Sequence, residues 1–159
     1  MCKIKVQVVE SGRKWKMFFG LYEHTIDEKN RLMVPRKMRD EAGVKLFIMK
    51  GFDGALSIYK ASAFEKLVSE TEALPFNMRN SRDYIRATLA SACEIDVDRQ
   101  GRIQIPTTLM NKYNITKDVV VIGVGDHFEV WSKQAYEEYE KKVNDSFEDI
   151  AENLPKSSI

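Results

Sequence analysis

The sequence predicts an α+β fold with a mainly β core, arranged as a pseudo-twofold pair of repeats flanked by helices. Three observations lead there. Residues 27–35 read DEKNRLMVP and residues 98–106 read DRQGRIQIP, so Asp, Arg and Pro recur at one spacing. A short helix follows each copy, and then a hairpin pattern of β-branched and apolar residues around Gly and Asp. Each hairpin runs into a segment whose apolar residues fall on one helical face.

Taken in order, residues 1–16 form a basic N-terminal extension. Lys3, Lys5, Arg13, Lys14 and Lys16 stand there against Glu10, without the continuous apolar core of a secretory signal. The first repeat spans 17–74. Asp27 opens a turn, because an Asp carboxylate accepts nearby backbone N–H groups, and Asn30 occupies the position that calls for positive φ. In the strand that follows, Leu32 and Val34 point to the core while Arg31 and Met33 point outward. Pro35 then suits a helix start, since its missing N–H had no helical partner there. RKMRDEA forms the helix and Gly43 ends it. Residues 45–59, KLFIMKGFDGALSIY, read as a hairpin punctuated by Gly51 and Asp53-Gly54. Ala63, Phe64, Leu67, Val68 and Thr71 then line one face of an amphipathic helix.

Residues 75–93 form a connecting helix after the break at Pro75. Met78, Ile85, Leu89 and Ala92 share one face, and Arg79, Arg82 and Arg86 share another. The second repeat spans 94–144. Asp98 and Gly101 restate the turn, Ile103 and Ile105 the inward positions, and Arg102 and Gln104 the outward ones. Pro106 opens the helix TTLMNKY, and Asn114 matches Gly43. The second hairpin, DVVVIGVGDHFEVW at 118–131, needs a one-residue insertion to match the first. Ala135, Tyr136, Tyr139 and Val143 mark the last amphipathic helix, and residues 145–159 are expected to be an acidic tail that frays over ENLPKSSI. A small sheet unit buries its apolar face poorly alone, so the two repeats should share one core.

Composition narrows the function. With 43% hydrophobic and 31% charged residues, the chain is rich enough in apolar groups to exclude general disorder. No apolar stretch approaches the roughly 20 residues of a membrane span, so a cytoplasmic location is the default. Cys2 and Cys93 give neither a disulfide framework nor a metal spacing; they read as free thiols, with Cys93 a candidate for burial. There is no HExxH, no phosphate loop and no Cys cluster. His24 and His127 lie in different halves, with no Ser or Cys beside them in a repeated arrangement. Neither an enzyme, a metal, a cofactor nor a small-molecule substrate is expected.

A net charge of +1 does not announce a nucleic-acid binder, but the local distribution is more telling. Residues 27–39 hold Lys29, Arg31, Arg36, Lys37 and Arg39 against Asp27 and Glu28, whereas nine acids face four bases from Asp126 to the end. Arg31 and Arg102 begin two exposed strands, and the planar fork of arginine suits phosphate or the O6 and N7 of guanine. A two-stranded ribbon fits the major groove. Met33 and Gln104 share that outer face, and Arg36, Lys37 and Arg39 are placed to meet phosphates nearby. The bland alternative is that each Asp–Arg pair is a salt bridge that fixes its turn. The two roles are compatible, and spacing alone leaves both open.

The runs MFFGLYEHTIDEKNRLMVPRKMR at 17–39, ASACEIDVDRQGRIQIP at 90–106 and GDHFEVW at 125–131 resemble the MraZ family. The resemblance covers most of residues 17–140. It implies an AbrB-like, swapped-hairpin β-barrel built from the two repeats and flanked by helices. It also implies a DNA-binding transcriptional regulator, commonly a repressor, at repeated promoter boxes upstream of its own division and cell-wall gene cluster. Such a protein would be nucleoid-associated and a closed, ring-like homo-oligomer. Asp27 and Arg31, then Asp98 and Arg102, fall on the family's motif. Asn30 stands where the family usually has Gly, and residues 1–16 lie outside the resemblance. An AbrB-like antitoxin or protein-interaction scaffold is the alternative, but such proteins usually carry one repeat per chain.

Overall fold

A computed structural model describes residues 17–155. The expected basic extension, with Cys2, and the last four residues of the expected tail lie outside the described residues. The first repeat supplies strands β1 (Phe18–Thr25) and β2 (Arg31–Met33), helix α1 (Arg36–Ala42), strands β3 (Lys45–Lys50) and β4 (Leu56–Lys60), and helix α2 (Ala61–Glu72). Helix α3 (Arg79–Ala90) connects the halves. The second repeat supplies β5 (Cys93–Asp96), β6 (Arg102–Gln104), α4 (Thr107–Lys112), β7 (Asp118–Gly125), β8 (His127–Ser132) and α5 (Lys133–Asp145). A last short helix, α6 (Phe147–Glu152), lies where only a tail was expected.

Local chemistry accounts for the boundaries. Pro35 and Pro106 cap α1 and α4 with φ of −51° and −56°, in keeping with the fixed angle of the proline ring. Gly43 and Asn114, at φ of 69° and 52°, turn the chain out of those helices. Asp53 and Gly54, also at positive φ, reverse the first hairpin. Ser132 caps α5 by accepting the N–H of Ala135 at 3.2 Å.

Pairing crosses between the repeats. The large sheet runs β1-β7-β8-β4-β3-β5, antiparallel throughout, and a separate ribbon pairs β2 with β6. Each repeat's first strand thus lies beside the other repeat's hairpin. Exchanging every strand for its counterpart reproduces the same order read from the other end, so the chain has an internal pseudo-twofold. Leu32 pairs with Ile103, its own counterpart, on that axis.

The expected β-barrel is not formed. β1 and β5 are edges, each paired on one side only, so the six-stranded sheet stays open. The Asp27 and Asp98 turns divert β2 and β6 from the sheet, and three-residue strands pairing only with each other cannot bridge its two ends. The apolar face is covered instead of being rolled up. Leu32, Val34, Ile103 and Ile105 from the ribbon segments, with Met38 of α1 and Leu109 and Met110 of α4, pack on Leu46, Ile48, Leu56, Ile58, Val119, Val121, Phe128 and Val130. All of these are buried. On the opposite face, α2, α3 and α5 pack against the sheet: Phe64 stacks on Phe47 at 4.2 Å, and Trp131 meets Tyr136 and Tyr139. Burial of Cys93 is also corrected: it is exposed, because β5 is an edge strand.

Candidate nucleic-acid interface

The two motif turns are built alike. Asp27 Oδ1 accepts the N–H of Lys29 and of Arg31, both at 2.9 Å, and its Oδ2 accepts Arg31 Nε at 2.7 Å. Asp98 accepts from the N–H of Gln100 and Arg102 and from Arg102 Nε, each at 2.9 Å. Backbone bonds close both loops, from Asn30 N–H to Asp27 O and from Gly101 N–H to Asp98 O. The fourth residue of each turn is left-handed, Asn30 at φ 59° and Gly101 at 80°. Asn tolerates that region better than other residues with a side chain.

Bonds across the axis weld the turns together. Ile105 N–H donates to Asn30 O and Val34 N–H to Gly101 O, each at 2.9 Å. Gln104 Nε2 donates to Lys29 O, and Asn30 Nδ2 donates to Thr107 Oγ1. The copies differ where Arg39 crosses Gly101. Arg39 Nε donates to Val34 O, and a Cβ at residue 101 would lie 2.7 Å from that Nε. Glycine at 101 takes its positive φ without strain and leaves room for the end of Arg39, while Asn is accommodated at 30.

The ribbon's outer face carries four side chains in two cross-strand pairs, Arg31 opposite Gln104 and Met33 opposite Arg102. The two arginines therefore stand diagonally, related by the pseudo-twofold. Each spends Nε on its aspartate, yet the side chains remain 30% and 24% exposed, and among the described residues no protein partner is recorded for either Nη pair. Arg36 and Lys37 are exposed at the start of α1, beside this face. Arg39, grouped with them by sequence, is instead half-buried and committed to Val34 and Gly101. Two further exposed cations, Lys29 and Arg99, sit on the turns themselves. Arg99 escaped the sequence reading; its place one residue after a motif Asp is the signal that marks it.

The aspartates are held as anions. Both carboxyls are pulled below their ordinary value, chiefly by the backbone N–H of Arg31 for Asp27 and of Arg102 for Asp98, with the arginine side chains adding to it. A depressed folded-state pKa stabilises the turns above the unfolded value, and the contribution is lost as pH falls through the folded value. Carboxyl NMR titrations of Asp27 and Asp98 should therefore have midpoints below about 3.8. Loss of the Arg31 and Arg102 amide signals' native positions should accompany protonation. Midpoints at or above the ordinary value would show that the turns do not rely on the anions.

The histidines do not converge. His24 lies in β1, its pKa lowered by burial and then by the Arg39 charge. His127 stacks on Tyr59 at 4.3 Å on the other face of the sheet and meets Asp126 through Nδ1 at 2.6 Å. Among the described residues no cluster of three or more His, Cys, Asp or Glu is arranged to hold a metal, and no helix is long and apolar enough to cross a membrane.

A family model described as "MraZ protein, putative antitoxin-like" matches residues 17–86 and 88–157. Proteins named "Transcriptional regulator MraZ" align over nearly all of their own length. The one from Caldanaerobacter subterraneus subsp. tengcongensis is 43% identical over 143 residues, 90% of this chain and 100% of the relative. The one from Moorella thermoacetica is 39% identical over 138 residues, 87% of this chain and 96% of the relative. The one from Lactiplantibacillus plantarum is 37% identical over 138 residues, covering 87% and 98%.

Proposed function

The chain belongs to the MraZ family, and from that premise we propose that it is a DNA-binding transcriptional regulator that reads promoter DNA with the β2–β6 ribbon. It is not an enzyme; the relatives it aligns with end to end are named as regulators. The observation that carries the reading is the pair of matched Asp–Arg turns on one exposed ribbon. A ribbon of two strands has the width of a major groove. Arg31 and Arg102, with Met33 and Gln104 between them, face the base edges. Arg36, Lys37, Lys29 and Arg99 meet phosphates on either side, where neutralisation releases counterions. Asp27, Asn30, Asp98 and Gly101 hold the turns, and Arg39 braces them from within.

The finer reading rests on the family resemblance. The regulator acts in the cytoplasm on the nucleoid, represses its own promoter, and recognises repeated boxes upstream of a division and cell-wall gene cluster. Residues 17–74 and 94–144 are the two repeats of one folding unit. Several ribbons carried by a closed homo-oligomer would gain avidity on repeated boxes that no single chain attains.

The test is electrophoretic mobility shift with the DNA immediately upstream of the chain's own gene, against the same bases shuffled. The natural fragment should be retarded at lower protein concentration, and both affinities should fall with salt. Equal affinity for the two fragments at every salt concentration would remove sequence-specific reading. Turnover of the DNA or release of a bound toxin-like protein on purification would replace regulation with another function.

A further inference from the structure

The ribbon breaks the pseudo-twofold that builds it. Each motif turn receives one backbone bond from the opposite repeat, Ile105 N–H to Asn30 O and Val34 N–H to Gly101 O, both at 2.9 Å. The first turn is tied twice more, through side chains. Gln104 Nε2 donates to Lys29 O at 3.0 Å, and Asn30 Nδ2 donates to Thr107 Oγ1 at 3.1 Å. Both of these bonds run between the repeats.

The symmetry-related positions cannot make either bond. Met33 stands opposite Arg102 as Gln104 stands opposite Arg31. Its thioether has no hydrogen to donate, so Met33 cannot do for Gln100 O what Gln104 does for Lys29 O. Gly101 stands where Asn30 does and has no side chain, and Arg36 stands where Thr107 does. Arg39 rests on Gly101 from within, but its Nε donates to Val34 O and not to the turn. Glycine also gives the second turn the freer backbone. The extra ties lead to Arg31. Gln104 holds the carbonyl of Lys29, the N–H groups of Lys29 and Arg31 are bonded to Asp27 Oδ1, and Asp27 Oδ2 accepts Arg31 Nε.

We propose that Gln104, Asn30 and Thr107 are positioning residues that set Arg31, and not Arg102, for base recognition, so that the two ends of the ribbon discriminate unequally. A guanidinium fork already fixed before contact loses less freedom on binding and tolerates a misplaced acceptor less well. The Arg31 end therefore discriminates sharply between base pairs. The Arg102 end adapts, because its turn lacks the two side-chain ties. The proposal rests on the reading of the ribbon as the DNA surface, and it assigns the amide nitrogen of Gln104 to the turn instead of to a base.

The experiment is mobility shift of the full chain with the natural upstream fragment and its single-base-pair variants, with amide exchange of the DNA-free chain as a second readout. The base pair whose preference Arg31→Ala abolishes should discriminate more strongly than the one that Arg102→Ala abolishes. Gln104→Met should flatten the Arg31 base pair and weaken the natural fragment roughly 2- to 10-fold, the worth of one hydrogen bond. It should leave the Arg102 base pair and the melting temperature as they were. Met33→Gln, which supplies the missing donor, should sharpen preference at the Arg102 base pair. Relative to unfolded rates, the amides of residues 29–31 should exchange more slowly than those of 100–102, and Gln104→Met should erase the difference. Should Gln104→Met fail to fold, Thr107→Val replaces it with the same expected outcome, and Thr107→Ser, which keeps the hydroxyl, should behave as wild type. If Gln104→Met flattens a base pair that Arg31→Ala leaves alone, Gln104 reads that base directly and the proposal is overturned. Equal flattening at both ends, or none, overturns it while leaving the ribbon reading standing. Arginine variants that alter no base preference overturn the ribbon reading and this proposal together.

Discussion

Leu32→Ala and Ile103→Ala should each lower the free energy of unfolding by about 2–5 kcal/mol, the range for truncating a buried Leu or Ile. The two side chains face each other on the pseudo-twofold axis and are 0% and 1% exposed. They sit where the ribbon closes over the large sheet, against residues of both repeats. A cavity there has no flexible neighbour on one side to collapse into, since both walls are paired β-structure. Loss on this scale is a large part of the roughly 5–15 kcal/mol that holds a typical domain together. Urea titration should show a lower midpoint with an unchanged slope and a single transition. The double variant should cost less than the sum of the singles, because each truncation removes contacts that the other also counts. Two separated transitions, or losses below about 1 kcal/mol at both sites, would mean that the halves do not share this core.

That core was legible because its pattern is local. Alternation around Leu32, Val34, Ile103 and Ile105 states which side chains point inward, and the repeated Asp-to-Pro spacing states that they do so twice. Asn30 and Asn114 were readable for the same reason, since few residues with a side chain tolerate positive φ. Periodicity does not name a strand's neighbour, however. Nothing in FFGLYEHT says that β1 pairs with β7 of the other repeat, and nothing local decides whether a sheet closes. The barrel expectation failed at that point: closure depends on what meets β1 and β5, and the ribbon strands are too short to do so.

The candidate site divides in the same way. The outward set Arg31, Met33, Arg102 and Gln104 follows from alternation, but their meeting on one ribbon is a long-range fact. Arg39 shows the limit of reading charge from sequence. It belongs by composition with Arg36 and Lys37, yet helix periodicity and a missing Cβ at Gly101 turn it inward to Val34 O. Helix α6 was hidden by its acidic residues, among which Phe147 and Ile150 stand at helical spacing.

Arg31→Ala and Arg102→Ala should each weaken binding to the natural promoter fragment while changing the melting temperature little. Each salt bridge is partly exposed, and solvent screening leaves pairs of that kind little to contribute to stability. A lost bidentate contact to guanine costs about 1–3 kcal/mol and relaxes preference at one base position. A lost phosphate contact instead weakens natural and shuffled DNA alike and lowers the salt slope by about 1. Arg→Lys separates the two outcomes at each site, since lysine keeps the charge but not the planar fork. It should restore phosphate binding and fail to restore base preference. The double alanine variant should lose most specific binding, because neither turn then presents its guanidinium on the ribbon. Asp27→Ala and Asp98→Ala are the structural controls: each removes an acceptor of two backbone N–H groups and should lower the melting temperature more than the arginine variants do. If the arginine variants melt as early as the aspartate ones and keep affinity in proportion to folded protein, the pairs serve only to fix the turns. DNA binding must then fall to Arg36, Lys37, Lys29 and Arg99, whose side chains remain exposed around the same ribbon.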